Sequence, residues 1–284
     1  MIDDPRGQIE YGEQGAGPTL VLVPGSCSTG AAWRPVMKAL EGRYRFVTTS
    51  LLGYGETAER RSDADPSVLP EAEALEAVIE RAGGEVHLVG HSFGGAVAMI
   101  VAMRGRVPVR SLAIFEAPLP SLLAGVGEAA HRRAFADMTD AYFAAYRTGD
   151  RLAIRSMIDF YGGAGTWASW PDKVRDYAVA TTPVNLRDWA CAYRYPLTPA
   201  QLATIDMPVS VAVGAASHPS VCRANGIVAS AIPGATFRAI GGAAHFMIST
   251  HPVQVAEIVE QTVRRVDAPV LAAAAQAPRG NCCR

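Results

Sequence analysis

The pentapeptide G-H-S-F-G at residues 90–94 places a serine where it could act as a nucleophile. A short apolar run at 86–89 predicts a buried strand before it, and the apolar run from Ala96 predicts a helix after it. A G-x-S-x-G sequence has chemical meaning in this strand–turn–helix context, because the tight turn lifts the serine hydroxyl above the sheet edge. A phosphate-binding loop would instead need a Lys-Ser or Lys-Thr pair after its glycines, which is absent. We therefore predict that Ser92 is a nucleophile.

A serine hydroxyl needs a neighbouring base to remove its proton and an acid to orient that base. Among the six histidines of the chain, His245 lies in the loop that follows the last predicted strand, 236–240. A flexible pair of glycines at 241–242 precedes it. His91 lies in the nucleophile turn itself, and its side chain is expected to point away from the serine. We predict His245 as the base.

Two backbone N–H groups must face the negative charge that develops on the substrate oxygen. Phe93 follows the serine directly and supplies one of them by its position. The loop after the early strand 19–23 is predicted to supply the other from Ser26, since Gly25 lets the backbone approach the substrate. The assignment could shift by one residue to Cys27, and a plain turn would have the same sequence.

Strands alternate with helices over residues 19–116 and again over 209–266, which predicts right-handed crossovers and a mostly parallel α/β sheet. The stretch between these regions has helical patterns and no convincing strand. We predict a core domain at residues 1–118 and 203–266, with a helical cap inserted at 119–202. A disordered Ala/Pro-rich tail is predicted at 267–284.

The composition is that of a globular protein and excludes several functional classes. The 284 residues are 49% hydrophobic and 19% charged, with a net charge of -1, so nothing would attract nucleic acid or an anionic membrane. No apolar run is long enough to span a bilayer, and the N-terminus has no signal peptide pattern. The five cysteines lack metal-ligand spacing. We expect a cytoplasmic monomer or homodimer with a small-molecule substrate, no metal and no cofactor.

Several of these features together resemble an α/β-hydrolase with a cap. They are the nucleophile turn, the Pro24-Gly25 loop, G-Y-G-E-T at 53–57, the helical insertion and G-A-A-H-F at 242–246, and the resemblance covers residues 7–266. It implies a mostly parallel α/β-hydrolase sheet flanked by helices, an inserted helical cap and the chemistry of a serine hydrolase.

The resemblance also bears on the acid of the catalytic triad. In many relatives the acid is an Asp after the seventh strand of the family's sheet, but Ser217 occupies that position here. Other members, including some haloalkane dehalogenases and the cofactor-free ring-cleaving dioxygenases, have the acid after the sixth strand. The corresponding residue is Glu116, which could alternatively be a solvated glutamate at a strand end. The resemblance thus implies the triad Ser92–Glu116–His245.

These residues predict a serine hydrolase that cleaves a small, largely apolar ester or related carbonyl compound through an acyl-enzyme. Part of the aromatic set of the cap is expected to line the substrate pocket, and the rest to form the cap's own core. The candidate substrate-binding residues are Tyr161, Trp167 and Trp189 of the cap, and Phe246.

Two alternatives remain at this stage. The same scaffold could carry out C–C bond hydrolysis or cofactor-free oxygenation, because the fold does not fix the reaction. The absence of an Asp at position 217 also leaves open a ligand-binding, receptor-like protein or a slow hydrolase. The dehalogenases of this family have an Asp nucleophile where this chain has Ser92, so halide displacement is not expected.

Overall fold

The computed structural model describes residues 1–64 and 66–276, and the side chains of residues up to 266 within those ranges. Its strands are, in chain order, β1 (Ile2–Asp4), β2 (Gly7–Ile9), β3 (Gly12–Gly15), β4 (Thr19–Val23), β5 (Arg45–Thr48), β6 (Val86–His91), β7 (Val109–Phe115), β8 (Val209–Gly214) and β9 (Thr236–Ile240).

The α-helices are α1 (Arg34–Ala39), α2 (Leu69–Ala82), α3 (Phe93–Arg104), α4 (Pro120–Gly125), α5 (Ala129–Arg147), α6 (Ile154–Gly162), α7 (Thr166–Ser169), α8 (Asp172–Ala180), α9 (Thr182–Arg194), α10 (Pro199–Leu202), α11 (Pro219–Ala231), α12 (Met247–Thr250) and α13 (Pro252–Gln276). A 3₁₀ turn, Gly30–Trp33, precedes α1. Several helices begin with a proline in the first turn, where its missing N–H costs no helical hydrogen bond.

Seven strands form one sheet in the order β3-β5-β4-β6-β7-β8-β9. Only β3 pairs antiparallel within this sheet, and the remaining pairs are parallel. The carboxyl ends of β4, β6, β7, β8 and β9 therefore meet at one edge of the sheet, so the loops that follow them converge there. This confirms the mostly parallel α/β sheet that the sequence predicts.

Helices cover both faces of the sheet. Along β4, Leu20 and Leu22 belong to one buried cluster and Val21 and Val23 to another, because successive side chains of a strand point to opposite faces. The first cluster includes residues of α1 and α13, and the second includes residues of α2, α3 and α11. The central strands are buried on both faces, which explains their continuous apolar runs.

Residues 119–202 form helices α4 to α10 and contain no strand, as the sequence predicts. We refer to this segment as the helical insertion. The last helix differs from its prediction: α13 continues to Gln276, whereas the disordered tail was expected to begin at residue 267. An alanine-rich stretch suits a helix as well as a tail, because alanine has the highest helix propensity. The rest of the predicted tail, 277–284, lies outside the described residues.

Candidate active site

Ser92 lies at the sharp turn between β6 and α3. Its backbone has φ 54° and ψ -130°, a conformation that costs energy for a residue with a side chain. The Ser92 N–H donates to the carbonyl of Phe115 over 2.9 Å, which fixes the turn to β7. A Cβ on Gly90 would lie 2.7 Å from the carbonyl oxygen of Gly94, so the turn requires glycine there. The local motif therefore forms the strained turn that the sequence predicts.

The structure brings together the three residues of the predicted triad from three separate loops. His245 Nε2 lies 2.9 Å from Ser92 Oγ, and His245 Nδ1 lies 2.8 Å from Glu116 Oε2. With its proton on Nδ1, the imidazole donates to the Glu116 carboxylate and leaves Nε2 to accept from the serine hydroxyl. His245 and Glu116 are buried. The arrangement can activate a hydroxyl nucleophile.

Glu116 is not a solvated glutamate at a strand end. Its side chain is fully buried, and its backbone has φ 51°. Besides the bond to His245, its carboxylate accepts hydrogen bonds at Oε1 from the Gly214 N–H and the Ser217 hydroxyl, each over 2.5 Å. Ser217, the residue at the position of the expected Asp, thus supports the glutamate. Sequence reasoning gave Ser217 no part in the site, because only the folded chain places it beside Glu116.

The loop after β4 passes directly against the serine. A Cβ on Gly25 would lie 2.7 Å from Ser92 Cβ and 3.3 Å from Ser92 Oγ. Ser26 and Phe93, the two predicted N–H donors, both line the cavity in which Ser92 lies, and so does Cys27. Phe93 is also the first residue of α3, where backbone N–H groups lack helical acceptors. These positions are compatible with an oxyanion hole.

His91 lies closer to the site than the sequence indicates. Its ring centroid lies 4.8 Å from that of His245, and Nε2–H donates to the His245 carbonyl over 2.8 Å. The residue also lines the cavity. Burial, followed by the neighbouring His245, lowers the pKa of His91 to about 3. His91 is therefore neutral over the physiological range and holds the loop that bears His245.

The candidate site opens into a cavity of about 770 Å³ between the sheet edge and the helical insertion. Tyr161, Trp189 and Phe246 line it, as predicted, and the Tyr161 ring lies 4.2 Å from that of His245. The prediction for Trp167 is wrong, because this residue packs against Trp170 within the insertion and does not line the cavity. Trp170, which lies in an extended conformation after α7, lines it instead and makes a T-shaped ring contact with Phe246.

A buried carboxylate of the helical insertion, Asp188 on α9, also lines the cavity and was missed by the sequence analysis. Asp188 Oδ1 pairs with the fully buried Arg61 at 2.6 Å. Its Oδ2 accepts from the hydroxyls of Ser26 and Tyr54 over 2.5 and 2.6 Å. Burial raises the pKa of Asp188 despite the lowering by Arg61 and these hydrogen bonds. No local motif marks this residue, because its partners come from distant parts of the chain.

The same arginine faces two more carboxylates. Arg61 lies 2.8 Å from Glu59 Oε2 and 3.1 Å from Glu71 Oε1. Burial raises the pKa of Glu71 from 4.5 to about 8, although Arg61 opposes the shift. A single arginine thus faces three carboxylates, and a proton held on Glu71 reduces their mutual repulsion.

Because of the buried Glu71, we expect the free energy of unfolding of the protein to fall as the pH rises. A carboxyl group whose pKa is higher in the folded state stabilises the protein below its unfolded pKa, and this contribution is lost as the pH rises through the folded value of about 8. Glu71→Gln, which imitates the protonated form, should have a flatter pH dependence and exceed the wild type in stability at pH 9. Denaturant unfolding at pH 5.5 and 9 measures the free energy of unfolding of both proteins. If this free energy fell equally in both between the two pH values, Glu71 would not be the group responsible.

Within the part of the chain that the structure describes, no group of His, Cys, Asp and Glu side chains could hold a metal ion. No helix in that part is both long enough and apolar enough to cross a membrane.

A sequence model of the alpha/beta hydrolase family matches residues 20–258. The chain is 29% identical over 114 residues to haloalkane dehalogenase 2 of Mycobacterium tuberculosis, a match that covers 40% of each chain. It is 33% identical over 95 residues to the pimeloyl-[acyl-carrier protein] methyl ester esterase of Vibrio vulnificus, over 34% of this chain and 35% of the relative. The matches thus span less than half the length of these curated relatives.

Among solved structures, a thermophilic esterase from Thermogutta terrifontis superposes with a TM-score of 0.72 and 22% identity. The superposition covers 91% of this chain and 93% of the esterase. At this level of identity the likeness concerns the fold.

Proposed function

Since the chain belongs to the alpha/beta hydrolase family, we propose that it is a serine hydrolase that cleaves a small, largely apolar ester through an acyl-enzyme on Ser92. The observation that carries the proposal is the continuous chain of contacts from Ser92 Oγ through His245 to Glu116, at 2.9 and 2.8 Å. The methyl ester esterase among the relatives supports it.

In the proposed reaction, His245 Nε2 takes the Ser92 proton while Oγ attacks the ester carbonyl. Glu116 holds the imidazole with its proton on Nδ1 and stabilises the cation that forms. The N–H groups of Ser26 and Phe93 bind the oxyanion of the tetrahedral intermediate. The imidazolium then gives its proton to the leaving alcohol, and a water activated by His245 releases the acid.

The cavity supports the choice of substrate class. Its lining includes buried aromatic and aliphatic side chains, among them Ile158, Tyr161 and Trp189. A cavity of about 770 Å³ falls within the range of small-molecule sites. We propose that the helical insertion acts as the cap of this site, since α6 and α9 contribute much of the wall. No contact in the described residues favours C–C bond hydrolysis or oxygenation over ester hydrolysis.

Reaction with a fluorophosphonate probe tests the proposal. We expect the probe to label Ser92 in the wild type. Labelling should be lost in Ser92→Ala, because only an activated serine attacks phosphorus rapidly. His245→Ala should slow labelling by a factor of about 10³ or more, since the serine loses its base. The labelling rate is measured by gel fluorescence, and the labelled peptide by mass spectrometry.

His131→Ala is the matched control, since this histidine lies on α5 outside the cavity and contacts Ser220 Oγ at 3.2 Å. It should be labelled at the wild-type rate. A folded wild type that resists the probe would contradict the proposal and favour a ligand-binding protein with the same pocket.

A further inference from the structure

The contact between Asp188 and Ser26 joins the helical insertion to the loop beside the nucleophile. Ser26 follows β4 in the sheet, and Asp188 lies on α9, 162 residues later. The Ser26 hydroxyl donates to Asp188 Oδ2 over 2.5 Å. The reaction proposed above uses the Ser26 backbone N–H and leaves this side-chain contact without a role.

Asp188 is poorly placed to bind substrate itself. It is 2% exposed, and both of its oxygens already have partners: Oδ1 has Arg61, and Oδ2 has Ser26 and Tyr54. A substrate group would have to displace one of these buried bonds, which is costly. The carboxylate is thus rigidly held and offers a fixed acceptor to the Ser26 hydroxyl.

The loop that bears Ser26 needs such an anchor. The next residue, Cys27, has φ 57°, an unfavourable backbone conformation for a residue with a side chain. The preceding residue, Gly25, lies against Ser92 so closely that a Cβ would clash. Its carbonyl also accepts from the Ser28 hydroxyl over 2.8 Å. Catalytic N–H groups must be held within about 0.5 Å of their productive position, and a strained loop keeps such a position only when its surroundings fix it.

We propose that Asp188 is a positioning residue for the oxyanion hole: its carboxylate fixes the Ser26 side chain so that the Ser26 N–H faces the carbonyl oxygen of the substrate. This inference rests on the proposed function and extends it to a residue of the helical insertion. It also gives a role to a carboxylate that is buried in the cavity wall.

Ser26→Ala tests the inference, because it removes the hydroxyl and retains the backbone N–H. With p-nitrophenyl butyrate we expect kcat to fall about 10- to 100-fold, below the loss for a complete oxyanion donor, with KM within twofold. Ser26→Thr keeps a hydroxyl for Asp188 and should restore most of kcat. Asp188→Asn should lower kcat as well, and the double variant should be no slower than the slower single variant, since both act through one bond.

Inhibition separates positioning of the N–H from a structural effect. A trifluoromethyl ketone accepts the Ser92 oxygen at its carbonyl carbon, the Ser92 proton passes to His245, and the ketone oxygen becomes an oxyanion. The matching methyl ketone binds as a planar, uncharged carbonyl. Ser26→Ala should weaken inhibition by the trifluoromethyl ketone about 10-fold or more and that by the methyl ketone less than twofold, because only the oxyanion needs the full strength of the N–H donor.

Ser50→Ala is the matched control. Ser50 also donates its hydroxyl to a carboxylate, Glu10, over 2.9 Å, and lies outside the cavity lining. This variant should lose about as much thermal stability as Ser26→Ala does, and it should keep the wild-type kcat.

An active wild type with a fully active Ser26→Ala variant, or equal weakening of both ketones, would overturn this inference alone. The inference would also be overturned if the kcat losses of Ser26→Ala and Asp188→Asn multiplied in the double variant. A wild type that neither hydrolyses the ester nor binds the trifluoromethyl ketone would overturn the proposed function and the inference with it.

Discussion

Replacing Ser92 with alanine is expected to lower kcat for p-nitrophenyl butyrate by a factor of about 10⁵ to 10⁶, as loss of the nucleophile does in comparable triads. The physical reason is that no other hydroxyl within the described site contacts His245 Nε2, whose partner at 2.9 Å is Ser92 Oγ. His245→Ala should cost a similar factor, and the double variant should be no worse than either single one, because the residues act as one unit. Steady-state hydrolysis measures all three.

Ser111→Ala is the control for loss of a buried serine hydroxyl. Ser111 Oγ lies 2.8 Å from His87 Nδ1, so it forms a buried serine–histidine pair that lies away from the cavity. This variant should lose stability and keep kcat. If Ser92→Ala retained more than about 1% of kcat with the nucleophile removed, a Ser92 acyl-enzyme would be excluded.

The second large effect is expected for Glu116→Gln, with kcat lowered by a factor of about 10⁴ and KM nearly unchanged. The amide of glutamine can still accept from Gly214 and Ser217 through its oxygen, but its NH₂ group would then face His245 Nδ1. That contact favours the tautomer with the proton on Nε2, which cannot accept the Ser92 proton. The fold should persist, since the hydrogen bonds at Oε1 are kept.

Two further variants sharpen this test. Glu76→Gln changes another buried glutamate, one paired with Arg104 at 2.6 Å, and should leave kcat unchanged. In the Glu116→Gln background, Ser217→Asp should raise kcat about tenfold or more, because it supplies a carboxylate beside the neutral glutamine side chain and near His245. The Ser217 hydroxyl lies only 2.5 Å from Glu116 Oε1, which makes this exchange geometrically possible. A Glu116→Gln variant with kcat within tenfold of the wild type would show that Glu116 is not the acid.

The sequence by itself predicted the mostly parallel sheet and, together with the family resemblance, the residues of the candidate triad. The alternation of strands and helices predicted the parallel sheet, because burial on both faces imposes continuous apolar runs on strands such as β4 and β6. The strained turn at Ser92 could be predicted from the local sequence, because the close approach of the backbone requires glycines at fixed spacing. His245 was predicted from its place after the last predicted strand, and Glu116 from the resemblance to family members that have the acid after the sixth strand. The ends of these strands meet at one sheet edge in a parallel arrangement.

Outside the predicted triad, only the tertiary structure decided which side chains meet. The bond from Ser217 to Glu116 joins residues 101 positions apart, and the bond from Ser26 to Asp188 joins residues 162 apart. Nothing in the local sequence of either partner encodes the other. Likewise, Trp170 in the extended segment after α7 lines the cavity, whereas Trp167 within α7 does not. Local patterns fix backbone geometry and the edge of the sheet at which a residue lies, whereas side-chain contacts depend on how the helical insertion packs over that edge.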